Sequence, residues 1–299
     1  MDNNTRFLIQ YVCDGDLCQA RRAAEAVLAN STAKKDEYFV MQMRRRLEQK
    51  SLTMLPDNLK GILVAEDVSE IQLLQYWPIQ QNEEVLHKLT AAKRVSEQLS
   101  KIQVRYTPTL ILYGESGTGK TTFARYIAHT LGVPFLYIRF SMLVDSLLGK
   151  TQGNLGRVFA YARESPCVLC IDELDAIGNQ RGTHQDTGEM YRVVIALMQE
   201  LDTLPNHCVV IGTTNRFELL DPAVVRRFTM VHELRPLGPE EARAFAASYM
   251  KTAGEKLEHD LVPFTPAIDA QAIPIAAVSQ LCNEAIIEQL TKEAATSAA

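Results

Sequence analysis

Residues 114–121 read GESGTGKT and satisfy the phosphate-loop pattern G-x-x-x-x-G-K-[ST] in full. Glycines at 114, 117 and 119 let the backbone curl tightly and turn its N–H groups inward. Those donors and the start of the following helix make a cradle for a polyphosphate. The nucleotide-binding segment is therefore expected to run Gly114, Glu115, Ser116, Gly117, Thr118, Gly119, Lys120, Thr121, Thr122. Lys120 is expected to reach the β- and γ-phosphates of ATP, and the Thr121 hydroxyl to ligate Mg2+.

A second chemical group, Asp172-Glu173, begins 51 residues after Thr121 and ends the apolar run VLCIDE. Asp172 is expected to hold Mg2+ with Thr121, and Glu173 to orient and activate an attacking water. Asn215 closes the next apolar run, CVVIGTTN, where its amide can position the same water or touch the γ-phosphate. Arg226 and Arg227 lie in LLDPAVVRRF. Phosphoryl transfer needs cationic charge on the transferring group, and in an oligomer a neighbouring copy can supply it.

These residues need a scaffold that gathers them. Apolar runs at 109–114, 133–140, 168–173, 208–215 and, more weakly, 229–234 alternate with helical patterns such as TTFARYIAHTL and MYRVVIALMQEL. Continuous apolar strands separated by helices imply an α/β fold, a five-stranded parallel sheet with helices on both faces. Sites in such sheets sit at the carboxyl ends of the strands, where the glycine loop, the Asp-Glu pair and Asn215 all fall.

The division expected along the chain is a helical N-terminal module at 1–50, a linker at 51–83, an α/β core at 84–235 and a helical lid at 236–299. The first module carries nine Lys/Arg against seven Asp/Glu, and its Arg44-Arg45-Arg46 run reads as a solvated helix face. Over 299 residues the formal charge is -5, which argues against a protein that lives mainly by gripping phosphate backbones. A hydrophobic content of 46% excludes wholesale disorder. No apolar run is long enough to cross a membrane and the N-terminus lacks a signal-peptide pattern, so the expected location is cytoplasmic. Cys167 and Cys170 form a C-x-x-C inside an apolar run with no second pair beside it, and read as core residues.

GESGTGKT, CVLCIDELDAIG, VVIGTTNRFELLDPAVVRRF and LCNEAI together resemble the AAA ATPases, over roughly residues 84–292. The likeness is to the protein-remodelling branch that includes spastin, katanin and the proteasomal and membrane-protease ATPases. The resemblance implies ATP hydrolysis with Mg2+, a hexameric homo-oligomer with ATP between subunits, Arg226 and Arg227 as fingers acting in trans, and a polypeptide client. It also places Arg192 where members have an intersubunit arginine. If degradation is the outcome, a separate protease is the implied partner. Two features depart from the family pattern. The pore-loop position holds Leu147-Leu148-Gly149 where the family usually has an aromatic, a hydrophobic residue and glycine, and the lid segment IPIAAVSQLCNEAI has no sensor arginine. The adenine pocket has no readable motif; residues 73–79 and the lid are the candidates. Two other readings stand beside this one. One is a DNA-acting ATPase of the helicase-loader or transposition type, motivated by the arginine run. The other is a nucleotide-dependent assembly switch.

Overall fold

The computed structural model describes residues 3–13, 23–24, 26–29, 40, 55–68, 80–140, 151–177, 187–264 and 272–297. Helix α1 spans Asn3–Cys13 and strand β1 Val64–Glu66. Then come α2 (Gln80–Ser100), β2 (Thr109–Tyr113), α3 (Lys120–Leu131) and β3 (Phe135–Arg139). They are followed by α4 (Thr151–Ala162), β4 (Cys167–Asp172), α5 (Thr187–Thr203) and β5 (Cys208–Thr214). A short α6 (Pro222–Val225), β6 (Met230–Glu233), α7 (Pro239–Leu257) and α8 (Ile275–Ser297) complete the order.

The strands form one sheet in the order β1-β3-β4-β5-β2-β6. The five strands expected from the apolar runs are all present and mutually parallel. A sixth, β1, comes from the segment read as linker and adds antiparallel to β3, with Val64 opposite Tyr137 and Glu66 opposite Phe135. Residues 62–65 read ILVA, a run of four apolar residues beside turn signals, too short for periodicity to separate a strand from a loop.

Alternate residues of the strands feed two cores. Leu110, Leu112, Phe135, Val168, Cys170, Val209 and Ile211 pack with Phe123, Ala124, Ile127 and Ala128 of α3. Ile111, Leu136, Ile138, Leu169, Ile171 and Val210 pack on the other face with α4 and α5. On α3 the buried positions recur at i, i+1, i+4 and i+5, the stripe a helix needs to lie on a sheet. Because the faces alternate, Cys167 and Cys170 belong to opposite cores and cannot converge on one ligand. A third core joins α7 and α8 through Phe245, Ala246, Met250, Val278 and Cys282.

Two polar fastenings hold the ends of elements to the sheet. Asn206 Nδ2 donates to the Ser96 and Val104 carbonyls at 2.8 Å each, tying the end of α2 to the start of β5. Thr109 and Thr229 exchange backbone and side-chain bonds at the start of β2 and β6. Among the described residues, every buried side-chain polar atom has a partner, no helix is long and apolar enough to cross a membrane, and no cluster of three or more His, Cys, Asp and Glu suits a metal ion.

In β5 the absence of a side chain at Gly212 is what lets the turn after β4 come close. A Cβ there would strike Leu174 Cδ1 and press on the Phe228 ring at 3.2 Å. Gly212→Ala is expected to cost about 1–3 kcal/mol through overpacking. Urea unfolding should show this as a lower midpoint with an unchanged slope.

Candidate functional site

The loop between β2 and α3 departs from ordinary backbone at three glycines, with φ of 140° at Gly114, 80° at Gly117 and 89° at Gly119. Gly114 has a second constraint: a Cβ there would meet the carbonyl oxygen of Leu234, which follows β6. The loop passes under that carbonyl and delivers the chain to α3, which starts at Lys120. Gly119 gives that helix no side-chain cap, so its first N–H groups face the loop's concavity.

Lys120 is buried, and its Nζ donates to the carbonyls of Gly114 at 2.9 Å and Glu115 at 2.7 Å. Burial pulls its pKa down, with Asp172 and Asp175 opposing that shift. The Glu115 carbonyl also accepts from the Thr118 hydroxyl at 2.8 Å. The Gly114 and Glu115 carbonyls thus brace the loop from behind.

Asp172 ends β4 and is heavily bonded. Its Oδ1 accepts from the Thr213 hydroxyl and from the Glu173 N–H at 3.0 Å, and its Oδ2 accepts from the Tyr137 hydroxyl at 2.7 Å. Burial and the bond to Asp172 push the pKa of the Tyr137 hydroxyl up to about 12, so it remains a donor at ordinary pH. Glu173 follows in the left-handed region at φ 59°, a conformation uncommon for a residue with a Cβ. The turn aims Glu173 out of the sheet, where Arg139 Nε lies 3.7 Å from its carboxylate.

One cavity of about 460 Å3 collects these parts, a volume ordinary for a small-molecule site. Ser116, Gly117, Gly119, Lys120, Thr121 and Thr122 line its floor; Asp172, Glu173 and Asn215 line one wall. The opposite wall is α8, which brings Ile275, Ala276, Ser279, Gln280 and Asn283. Helix α8 touches the loop directly, the Ala276 N–H donating to the Gly117 carbonyl at 3.0 Å. An anion cradle at one end and fixed carboxylates beside it suit a magnesium nucleotide.

Arg226 and Arg227 do not line the cavity. They follow α6, whose first turn is capped by the Asp221 side chain accepting from the Ala223 N–H at 2.7 Å. Arg227 donates to the Ala223 carbonyl at 3.0 Å and lies 3.6 Å from Asp202. Arg226 is exposed, with its Nε on the Pro222 carbonyl at 3.2 Å. Arg192 is an exposed residue of α5. Leu147, Leu148 and Gly149, residues 73–79 and Arg44 to Arg46 lie outside the described residues.

Sequence reasoning missed the groups around the carboxylates, Tyr137, Thr213 and Arg139, and the individual lid residues. The first three follow from strand register. Arg139 pairs with Asp172 across β3 and β4, and Ile171 with Gly212 across β4 and β5. Only once the order β3-β4-β5 is known do these side chains become neighbours of the site.

In comparison with known proteins, residues 110–236 match the family described as ATPase family associated with various cellular activities (AAA). The chain is 41% identical over 143 residues to the peroxisomal ATPase pex6 of Schizosaccharomyces pombe, a match covering 45% of this chain and 15% of that protein. It is 33% identical over 166 residues to the 26S proteasome subunit RPT4 of Saccharomyces cerevisiae, covering 54% and 38%. It is 30% identical over 208 residues to an uncharacterised AAA family ATPase of Sinorhizobium fredii, covering 69% and 61%. The matches thus span between 15% and 61% of these relatives' lengths.

Replacing Gly114 tests the loop geometry. Gly114→Ala would force a Cβ into a positive-φ position against a carbonyl. A strain of about 1–3 kcal/mol, if relieved only in the nucleotide-free loop, corresponds to about 5-fold to 150-fold in affinity. A titration with a fluorescent ADP analogue should show that loss while circular dichroism stays unchanged.

Proposed function

We propose, for a chain that carries an AAA ATPase domain over residues 110–236, that it hydrolyses ATP in a homo-oligomer and uses the cycle to remodel a polypeptide. The observation that supports this most is the convergence of the phosphate loop, Asp172-Glu173 and Asn215 on one cavity closed by α8.

In this reading the loop amides and the start of α3 hold the polyphosphate. Lys120 leaves the Gly114 and Glu115 carbonyls to meet the β- and γ-phosphates. Thr121 and Asp172 hold Mg2+, which when bound offsets phosphate charge. Glu173 accepts a proton from the attacking water, for which it must part from Arg139. Asn215 orients that water. The lid residues Ile275 and Ala276 cover the nucleotide, the part that the sequence left without a motif.

The arginines stand away from their own cavity, which suits a role on a neighbour's nucleotide. Arg226 is the better placed of the two, being exposed, while Arg227 is drawn toward Asp202. A ring of such copies, six in the family's usual arrangement, puts each Arg226 at the next subunit's γ-phosphate. Leu147-Leu148-Gly149 would then meet the client and the N-terminal module would select it, with a separate protease as partner where the outcome is degradation. One relative is named a 26S proteasome subunit and another, from Thermomicrobium roseum, an ATP-dependent zinc metalloprotease FtsH 1. Those names motivate the remodelling reading over the other two.

Three variants and one mixture test it. Lys120→Ala should abolish nucleotide binding. Glu173→Gln should keep ATP bound and slow turnover by about 100-fold or more, as for loss of a general base. The specific rate should rise cooperatively with protein concentration. Mixing Arg226→Ala with Lys120→Ala subunits should recover part of the rate that each lacks alone. A concentration-independent rate, indifferent to Arg226→Ala, would overturn the shared site.

A further inference from the structure

The donors on Asp172 are unevenly divided between its two oxygens. An ionised carboxylate offers about four lone-pair sites, two on each oxygen. Oδ1 has two donors, the Thr213 hydroxyl and the Glu173 N–H. Oδ2 has the Tyr137 hydroxyl. The lone pair left for a metal therefore lies on Oδ2, on the oxygen that Tyr137 holds.

Tyr137 is itself held from the far side. The Arg125 guanidinium lies 5.8 Å from the Tyr137 ring centroid and 5.3 Å from that of Phe135. Arg125 makes a two-pronged pair with Glu66 on β1, Nε to Oε2 at 2.6 Å and Nη2 to Oε1 at 3.0 Å. Such paired geometry fixes a guanidinium plane as well as its position. Arg125 belongs to α3, the helix that starts at Lys120, while Glu66 sits opposite Phe135 in the antiparallel pairing. Around the same hydroxyl stands the Arg139 guanidinium, which also faces Glu173. A chain of contacts thus runs from the sheet-edge strand to the carboxylate: Glu66, Arg125, the Tyr137 ring, the Tyr137 hydroxyl, Asp172.

We propose that Tyr137 is a positioning residue for Mg2+ binding, its hydroxyl turning Asp172 so that the remaining Oδ2 lone pair faces the cavity, with the Glu66–Arg125 pair holding the ring in place. This rests on the assignment of Asp172 to the metal. Without the hydroxyl, Oδ2 has two open lone pairs and the carboxylate is held from the Oδ1 side alone. Partners of this kind, one step out from a metal, commonly matter by 10–100-fold in affinity, an effect of about tenfold being expected here. Glu66→Gln leaves Arg125 a neutral partner in the same volume, so a smaller shift in the same direction is expected. The strand β1 then contributes to metal affinity although none of its residues lines the cavity.

The test is equilibrium binding of a fluorescent ADP analogue to the full chain, titrated with Mg2+ and repeated in EDTA. Wild type should tighten with Mg2+, and Asp172→Asn should abolish that response. Tyr137→Phe should need about ten times more Mg2+ for half the effect, with its EDTA affinity and melting temperature like wild type. An Asp172→Asn protein that keeps the wild-type response would remove the assignment of Asp172 and this inference with it. A flat Asp172→Asn together with a Tyr137→Phe curve superimposed on wild type would overturn the inference alone. Equal weakening of Tyr137→Phe with and without Mg2+ would also overturn it, since a packing role predicts that. Should Tyr137→Phe not fold, Glu66→Gln decides, and a wild-type Mg2+ curve there counts against the relay.

Discussion

Backbone donors without backbone acceptors are concentrated at the start of α3, and the rest of the architecture serves that concentration. A helix opens with N–H groups that have no partner within it, and here Gly119 withholds the usual side-chain cap. Three glycines in positive φ wrap the preceding loop around those donors. A parallel sheet brings Asp172 and Asn215 to the same edge. The helix can hold this exposed end because its stripe of Phe123, Ala124, Ile127 and Ala128 is fixed on the sheet.

The second organising element is the bonding of Asp172. Three donors from three different places, β3, β5 and the residue after β4, meet on one carboxylate. Such a group loses rotational freedom before any ligand arrives, so less is lost on binding. Glu173, one residue later, is handled in the opposite way. It is turned by a left-handed backbone away from the sheet and faces the Arg139 guanidinium at 3.7 Å. Neighbouring carboxylates thus receive different environments, one held by three neutral donors and one facing a guanidinium.

The sequence was most informative where local chemistry is obligatory. Glycine spacing around Lys120, the apolar runs ending in Asp172 and Asn215, and the parallel sheet could all be read in one dimension. What could not be read depends on which strands become neighbours. Tyr137 is 35 residues from Asp172 in the chain, and only the β3–β4 pairing brings its hydroxyl there. Strand β1 was passed over because its apolar run, ILVA at 62–65, is short and set among turn signals, and its Glu66 gains meaning only against Arg125. The lid contributed small and amide side chains, Ala276, Ser279 and Asn283, which have no fixed spacing that a nucleotide site demands.

The bond between Ala276 and Gly117 gives α8 a mechanical role. A helix of 23 residues is about 35 Å long at 1.5 Å per residue. It is bonded at its first turn to Gly117 of the loop before α3. A tilt of about 10° at that pin sweeps the far end through about 6 Å, on the same helical rise. Run backwards, the lever trades a wide, gentle movement at its tip for a small, stiff one at the loop. A neighbour leaning on the far end of α8 would therefore be felt as torque on Gly117.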